Sequence, residues 1–280
     1  MSSQRYVCGR AVDAAQVPTL SQDDILAQHE RHSIPEKLKS YYCTETRRHW
    51  DLFYRDNTDR FFKDRHYLLH EFPELDAIRT ITDRRPLLLE CGCGVGNALF
   101  PLLATLPNLD AVAVDFSDRS INMLRNHAEF DPERITAFVH DMTQPFPETV
   151  RNVDICTMLF ALSAIVPISL RRVVDNIRNV LRGGGIVVIR DYAHKDMTQL
   201  RFDCKSRLDT DLYIRGDGTL SYFFKKEELE QLFMDQGFEI YLVLLTIILC
   251  IIVYNLLTIR LQSVAFMYFL NLRYTEGSIA

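Results

Sequence analysis

The sequence has no C-x-x-C pair and no H-E-x-x-H helix, and its seven cysteines are scattered and odd in number. That excludes a zinc ribbon and a disulfide framework, and no metal site is expected. His66 and His70 have the i, i+4 spacing that would put them on one helix face but have no further ligand cluster nearby. Such cysteine usage fits a reducing compartment, so the expected location is the cytoplasm. The N-terminal stretch lacks an apolar h-region, so a secretory signal is not expected; Arg5 and Arg10 ahead of the first acid at Asp13 leave a weak mitochondrial presequence open. Basic excess is missing too: the net charge is -5, so any contact with nucleic acid has to come from a local patch. Repeats and low-complexity tracts are absent, and 48% apolar with 25% charged residues is an ordinary globular balance. At 280 residues the chain has room for one main core with appendages.

Residues 1–35 are polar and aperiodic, and read as a mobile arm with one short helix after Ser21. Residues 36–82 read as a charged helix followed by HWDLFYRDNTDRFFKDRHYLLHEFPEL, dense in aromatics and arginines. Residues 83–239 then alternate: LLLE, AVAVD, ITAFVHD, VDICTMLFAL and GGIVVIRDY read as strands, with helices after the first two and before the last. Such alternation predicts an α/β fold, a doubly wound parallel sheet covered on both faces, with ligands beyond the carboxyl ends of its strands. KKEELEQLFMDQGFE predicts an amphipathic helix closed by Gly237. Residues 240–280 form an atypical hydrophobic tail. Its segment 240–259 carries no charge over 20 residues, which predicts a transmembrane helix and a C-terminal membrane anchor. The alternatives are two sheet strands at 238–249 and 264–272, or a variant tail that leaves the sheet incomplete.

Between the first strand and its helix lies ECGCGVGN, with Glu90, Gly92, Gly94 and Gly96. A dinucleotide fingerprint wants glycine or alanine where Asn97 stands, to seat a pyrophosphate; G-x-G-x-G after a strand-end acid instead suits a nucleoside amino acid. Asp115 ends the next strand about twenty residues on, placed to accept from ribose hydroxyls. Asp141 ends the following strand and could accept from an adenine amino group, while Glu90 could face a cationic methionine moiety. Either aspartate alone could simply cap a helix. Together with Glu90 they point to S-adenosyl-L-methionine and a class I, Rossmann-like methyltransferase domain.

WDLFY, FFKDRH, ECGCGVGN, DFS, LFALSAI, IRDY, LRF, RGDGT and YFF occur here in the order seen in the methyltransferase-like tRNA N(3)-cytidine methyltransferases. Residues 36–239 resemble that family, and TQLRF and IRGDGT resemble its cytosolic threonine and arginine tRNA type. The resemblance implies a tRNA substrate, 3-methylcytidine formed in the anticodon loop, and an N-terminal lid over the cofactor. It further implies cofactor contacts from Trp50, Tyr54, Gly92, Asp115, Asp141, Met142 and Leu159, with Arg65 linking the lid to cofactor or tRNA. Four positions depart from the pattern: Tyr67 for tryptophan, Val166-Pro167 for His-Pro, Ala193 for glycine and Leu220 for arginine.

Cytosine N3 needs no strong base, so positioning dominates the chemistry. Aromatics hold an unstacked base, and Phe61, Phe62, Tyr222, Phe223 and Phe224 are candidates. A carboxylate near the developing cation would stabilise it, and Asp191 in IRDY is the candidate; its alternative is a salt bridge with Arg190 or another arginine. Around the lid, Arg47, Arg48, Arg55, Arg60, Lys63 and Arg65 outnumber the neighbouring acids. The fold also hosts small-molecule and protein methyltransferases, and a catalytically degenerate partner subunit is a third reading. A protein helper subunit is an open partner.

Overall fold

The computed structural model describes residues 5–7, 10–12, 21–32, 34–59, 61–249 and 264–274. An antiparallel hairpin of β1 (Arg5–Val7) and β2 (Arg10–Val12) comes first. Helix α1 (Gln22–Glu30) is opened by a capping box in which the Ser21 hydroxyl accepts from the Asp24 N–H and the Asp24 carboxylate accepts from the Ser21 N–H. This helix is docked rather than loose. His29 is buried with Nδ1 3.0 Å from the Tyr213 hydroxyl, and Lys195 pairs with Asp23 at 2.7 Å. The mobile-arm expectation for residues 1–35 therefore does not describe 22–30; a buried histidine at the helix's end finds a partner 184 positions away, which sequence spacing does not reveal.

Helices α2 (Glu36–Thr44), α3 (Thr46–Asn57) and α4 (Leu68–Glu71) lead through a 3-10 segment, Pro73–Thr80, into the sheet. There β3 (Leu87–Cys91), α5 (Leu99–Thr105), β4 (Asp110–Asp115), α6 (Asp118–Arg125) and β5 (Ile135–Val139) run outward in one direction. The chain then crosses back to β6 (Val153–Leu159), α7 (Leu170–Val180) and β7 (Leu181–Tyr192) on the other side of β3. Five strands, in the order β7, β6, β3, β4, β5, are parallel. The reversal between β3 and β6 makes the crevice in which such sheets bind ligands.

Alternate residues of the inner strands serve opposite faces. Leu89, Cys91, Val112 and Val114 join one buried cluster, Leu88, Ala111 and Ala113 the other. α7 shows the matching helical period: Leu170, Val173, Val174, Ile177 and Val180 are buried, while Arg171 and Arg172 face water. After β7 come α8 (Met197–Arg201) and a small antiparallel sheet of β8 (Arg207–Asp209), β9 (Leu212–Ile214) and β10 (Leu220–Tyr222). Then follow α9 (Lys226–Met234), β11 (Phe238–Leu249) and β12 (Val264–Tyr274).

The tail corrects the membrane-helix expectation for 240–259. Residues 240–249 lie in β11, which pairs antiparallel with β12, and β12 pairs antiparallel with β7. Residues 250–259 lie outside the described residues. Among the described residues no helix is long and apolar enough to cross a membrane. An uncharged run reads alike for a buried helix and a buried strand, and length alone was the wrong arbiter. The β-branched Ile240, Val243, Thr246, Ile247 and Ile248 carried the strand signal.

Candidate functional site

β3 ends in the glycine turn because three residues there, Gly92, Gly94 and Gly96, take left-handed backbone, with φ of 69°, 56° and 96°. At Gly92 a Cβ would stand 2.7 Å from the Ala161 Cβ, and at Gly94 2.8 Å from the Tyr54 hydroxyl. Backbone thus forms part of the wall of a cavity, and the Gly94 N–H donates to Asp115 Oδ2 at 3.0 Å. Gly96 does not line that cavity. A Cβ there would collide with the Phe100 ring, so this glycine lets the loop fold onto α5 instead of approaching a ligand.

Asp115 closes β4 and is buried. Its second oxygen accepts from the Ser117 N–H at 2.9 Å, and Ser117 in turn caps α6. Burial pushes its carboxyl up, opposed by the Ser117 and Gly94 N–H groups. A carboxylate has about four acceptor sites, so two backbone donors leave room for ligand hydroxyls. Glu90, 3% exposed, closes the floor. Its Oε2 is buried without a hydrogen-bond partner, and burial pushes the carboxyl up to about 8 against the opposing pull of Arg65. An acceptor oxygen left unmatched on a cavity wall is a site for a cationic donor.

On the far wall Asp141 is exposed, with Oδ1 accepting from the Thr143 N–H at 2.9 Å; Met142, Leu159 and His140 stand beside it. The roof is α3, whose Trp50 and Tyr54 line the cavity while Phe53, Tyr54 and Val95 form a small core with Trp50 and Phe62 packed on it. The aromatic segment is thus both a core and a wall. Arg65 follows: its N–H donates to the Asn97 carbonyl at 2.8 Å, and its Nη1 donates to the Leu159 carbonyl at 3.2 Å. Its guanidinium also stands 5.2 Å over the Phe160 ring.

A second cavity adjoins the first and shares Trp50, Phe62, Arg65, Phe160 and Ala164 with it. Phe160, at the end of β6, is a non-glycine residue at φ 58°. The buried Arg190 holds it: the Arg190 carbonyl accepts from the Phe160 N–H at 2.7 Å, and the guanidinium lies 5.8 Å from the Phe160 ring and 4.5 Å over Tyr67. Glu71 of α4 pairs with that guanidinium at 2.5 Å. Phe160, Phe116 and His140 were not singled out in the sequence, and Asn97 was noted only as a break in the dinucleotide fingerprint; Phe160 sat inside what read as a longer strand.

Asp191 lies elsewhere than expected. It is fully buried, lines neither cavity, and accepts from the Ser163 N–H (2.9 Å) and the Tyr192 N–H (2.9 Å). Burial pushes it up to about 6, opposed by these bonds and by the Ser163 hydroxyl. Nor does it pair with Arg190, which takes Glu71. The turn 162–164 stands between Asp191 and the second cavity and uses its carboxylate as an anchor. Tyr222, Phe223 and Phe224 are core residues, whereas Phe62 lines both cavities. Arg47, Arg48 and Arg55 are engaged with Asp118, Glu45 and Asp56. Among the described residues no group of three ligating side chains could hold a metal.

Residues 89–187 match the family described as "Methyltransferase domain". Over 201 residues, 70% of each chain, the protein is 44% identical to the human "tRNA N(3)-cytidine methyltransferase METTL6". The chain belongs to the tRNA N(3)-cytidine methyltransferase family. Drosophila melanogaster "tRNA N(3)-methylcytidine methyltransferase Mettl2" is 40% identical over 223 residues, covering 76% of this chain and 68% of that one. A SAM-dependent methyltransferase from Methanosarcina mazei shares the fold at 14% identity and a TM-score of 0.53, over 71% of this chain and 97% of its own. Within the tRNA N(3)-cytidine methyltransferase pattern, the departures fall unevenly: Tyr67 and Leu220 line the second cavity, Ala193 is buried beside Phe224, and Val166-Pro167 line neither cavity, though they follow Ile165 of the first.

Proposed function

We propose that this chain is an S-adenosyl-L-methionine-dependent tRNA methyltransferase forming 3-methylcytidine in the anticodon loop. The observation that carries the reading is the pair of joined cavities, one walled by the glycine turn and strand-end acids, the other by aromatic rings and cations. The first fits the cofactor: the unmatched Glu90 oxygen suits its ammonium, Asp115 its ribose hydroxyls, Asp141 its adenine amino group, and Gly92 and Gly94 permit close approach. Met142 and Leu159 flank it, and Trp50 and Tyr54 roof it as a lid. When bound, the cofactor would supply an electrophilic methyl group on cationic sulfur, to be taken by the N3 lone pair of a cytosine held in the second cavity.

The chain's own residues have positioning to do and no proton to remove. Aromatic faces at Phe160, Tyr192 and Phe62 are suited to holding a base taken out of its stack, and Lys63, Arg65 and Arg215 at the second cavity suit the phosphate backbone. The test is transfer of a labelled methyl group to tRNA, with the product nucleoside identified by mass spectrometry. 3-Methylcytidine is the expected product. Asp115→Ala should weaken cofactor binding by about 1.5–3 kcal/mol in calorimetry, the contribution of a charge-assisted hydrogen bond. Label on a small molecule or protein but never on tRNA would reject the reading.

A further inference from the structure

Two adjacent residues of α3 serve different neighbours. Trp50 lines both cavities and packs on Phe53 and Tyr54, with ring centroids 5.2 and 5.9 Å away. His49, about 100° round the helix from it, is buried, and its ring meets Tyr41 and Tyr42 of α2 at 5.8 and 5.4 Å. Its third neighbour is Gly218. A Cβ on Gly218 would stand 2.2 Å from His49 Nδ1 and 2.6 Å from Cε1, so the ring fills the space where any other residue would carry a side chain. Gly218 also takes left-handed backbone, at φ 86°, in the turn 215–219 that joins β9 to β10. That turn is closed on itself: the Gly218 N–H donates to the Arg215 carbonyl at 2.9 Å, and the Arg215 N–H donates to the Thr219 carbonyl at 2.8 Å. Arg215 and Leu220, on either side of Gly218, line the second cavity.

We propose that His49 is a positioning residue for the acceptor site: its ring, wedged between α2 and Gly218, seats the turn 215–219 and so holds Arg215 and Leu220 on the wall of the second cavity. The inference rests on the tRNA reading above and deepens it. The ring works by shape, since its Nε2 is buried without a hydrogen-bond partner, and a polar atom so placed adds nothing that a carbon would not. Cofactor binding does not depend on it, because Trp50 and Tyr54 take their places from the small core with Phe53 and Val95.

The experiment measures methyl transfer to tRNA and, by calorimetry, binding of the cofactor product S-adenosylhomocysteine. It uses the full chain, His49→Ala, His49→Phe, Gly218→Ala and the double variant carrying both alanines. His49→Ala should raise the KM for tRNA about tenfold, the worth of one charge-assisted hydrogen bond from Arg215, with a smaller change in kcat and an unchanged affinity for the cofactor product. His49→Phe keeps a flat ring and drops the nitrogens, and should behave as wild type. Gly218→Ala should raise KM further, and adding His49→Ala to it should recover part of that loss by clearing the collision, the non-additivity expected of residues in contact. A wild-type KM in His49→Ala overturns the inference and leaves the tRNA reading standing. So does a loss of cofactor-product affinity in parallel with the rise in KM, which would make the histidine a general prop of the fold, and so does a His49→Phe variant as impaired as His49→Ala. If the wild type methylates no tRNA, both readings fall.

Discussion

Glu90 is the residue whose energetics connect the fold to the cofactor. Its carboxyl is pushed by burial from an ordinary 4.5 to about 8, so the folded chain keeps a proton that the unfolded chain releases. The sign follows from linkage: a raised carboxyl favours the folded state below the unfolded value, and that contribution is lost as pH rises between about 4.5 and 8. Asp191, raised to about 6, acts in the same direction over a narrower window. The cofactor-free chain should therefore melt at progressively lower temperature from pH 5 to pH 8, and Glu90→Gln should flatten that slope. Parallel melting curves for the two proteins would contradict it. Glu90, Asp115 and Asp141 were legible in the sequence because each closes a strand of a parallel sheet, where side chains converge. Asp191 looked equivalent in the sequence but is turned away, since the direction of a strand-end side chain depends on what packs over it, here the turn 162–164, and Gly96 makes room for the Phe100 ring instead of for a ligand.

At the scale of elements, helix α4 is tied to the sheet by a buried cation. Arg190 on β7 holds α4 through Glu71 and Tyr67, and holds the strained Phe160 backbone through its own carbonyl. The Arg190 side chain is 5% exposed and that of Glu71 26%, so the cation bears more of the desolvation. Glu71→Ala strips the carboxylate from a guanidinium that stays in the interior, which costs about 3 kcal/mol for a pair of this kind. Urea denaturation should show that loss, and a shift under about 1 kcal/mol would mean that other partners neutralise the cation. The sequence made α3 and its aromatics visible through their density and made β3 to β7 visible through alternation. It could not show that one arginine next to Asp191 spans from the sheet to α4, because the partner lies 119 positions away. The aromatic run at Tyr222 to Phe224 was ambiguous for the complementary reason: residue type alone does not separate a stacking face from a core.

For the whole molecule the deciding feature is strand order. β12 is inserted between β11 and β7, with Tyr268 opposite Asp191 and Met267 opposite Tyr192. The C-terminal strands therefore cover the edge of the strand that carries Tyr192 to the second cavity and Asp191 to the turn 162–164 beside it. A chain ending at residue 239 would leave the β12-facing N–H and C=O groups of β7 from Ile186 to Tyr192 without their ladder partners. It would also remove the support behind the Asp191 anchor of the Ser163 turn. The truncated chain should lose its cooperative unfolding transition and its affinity for the cofactor together, and aggregate through the freed edge. The full chain, by contrast, should be released by alkaline carbonate from any membrane fraction in which it is found, because at least residues 240–249 are committed to the sheet. Unfolding monitored by circular dichroism and fractionation of the two proteins side by side separate the outcomes: a truncation that still melts cooperatively and binds the cofactor, beside a full chain that resists carbonate, would return the tail to the membrane.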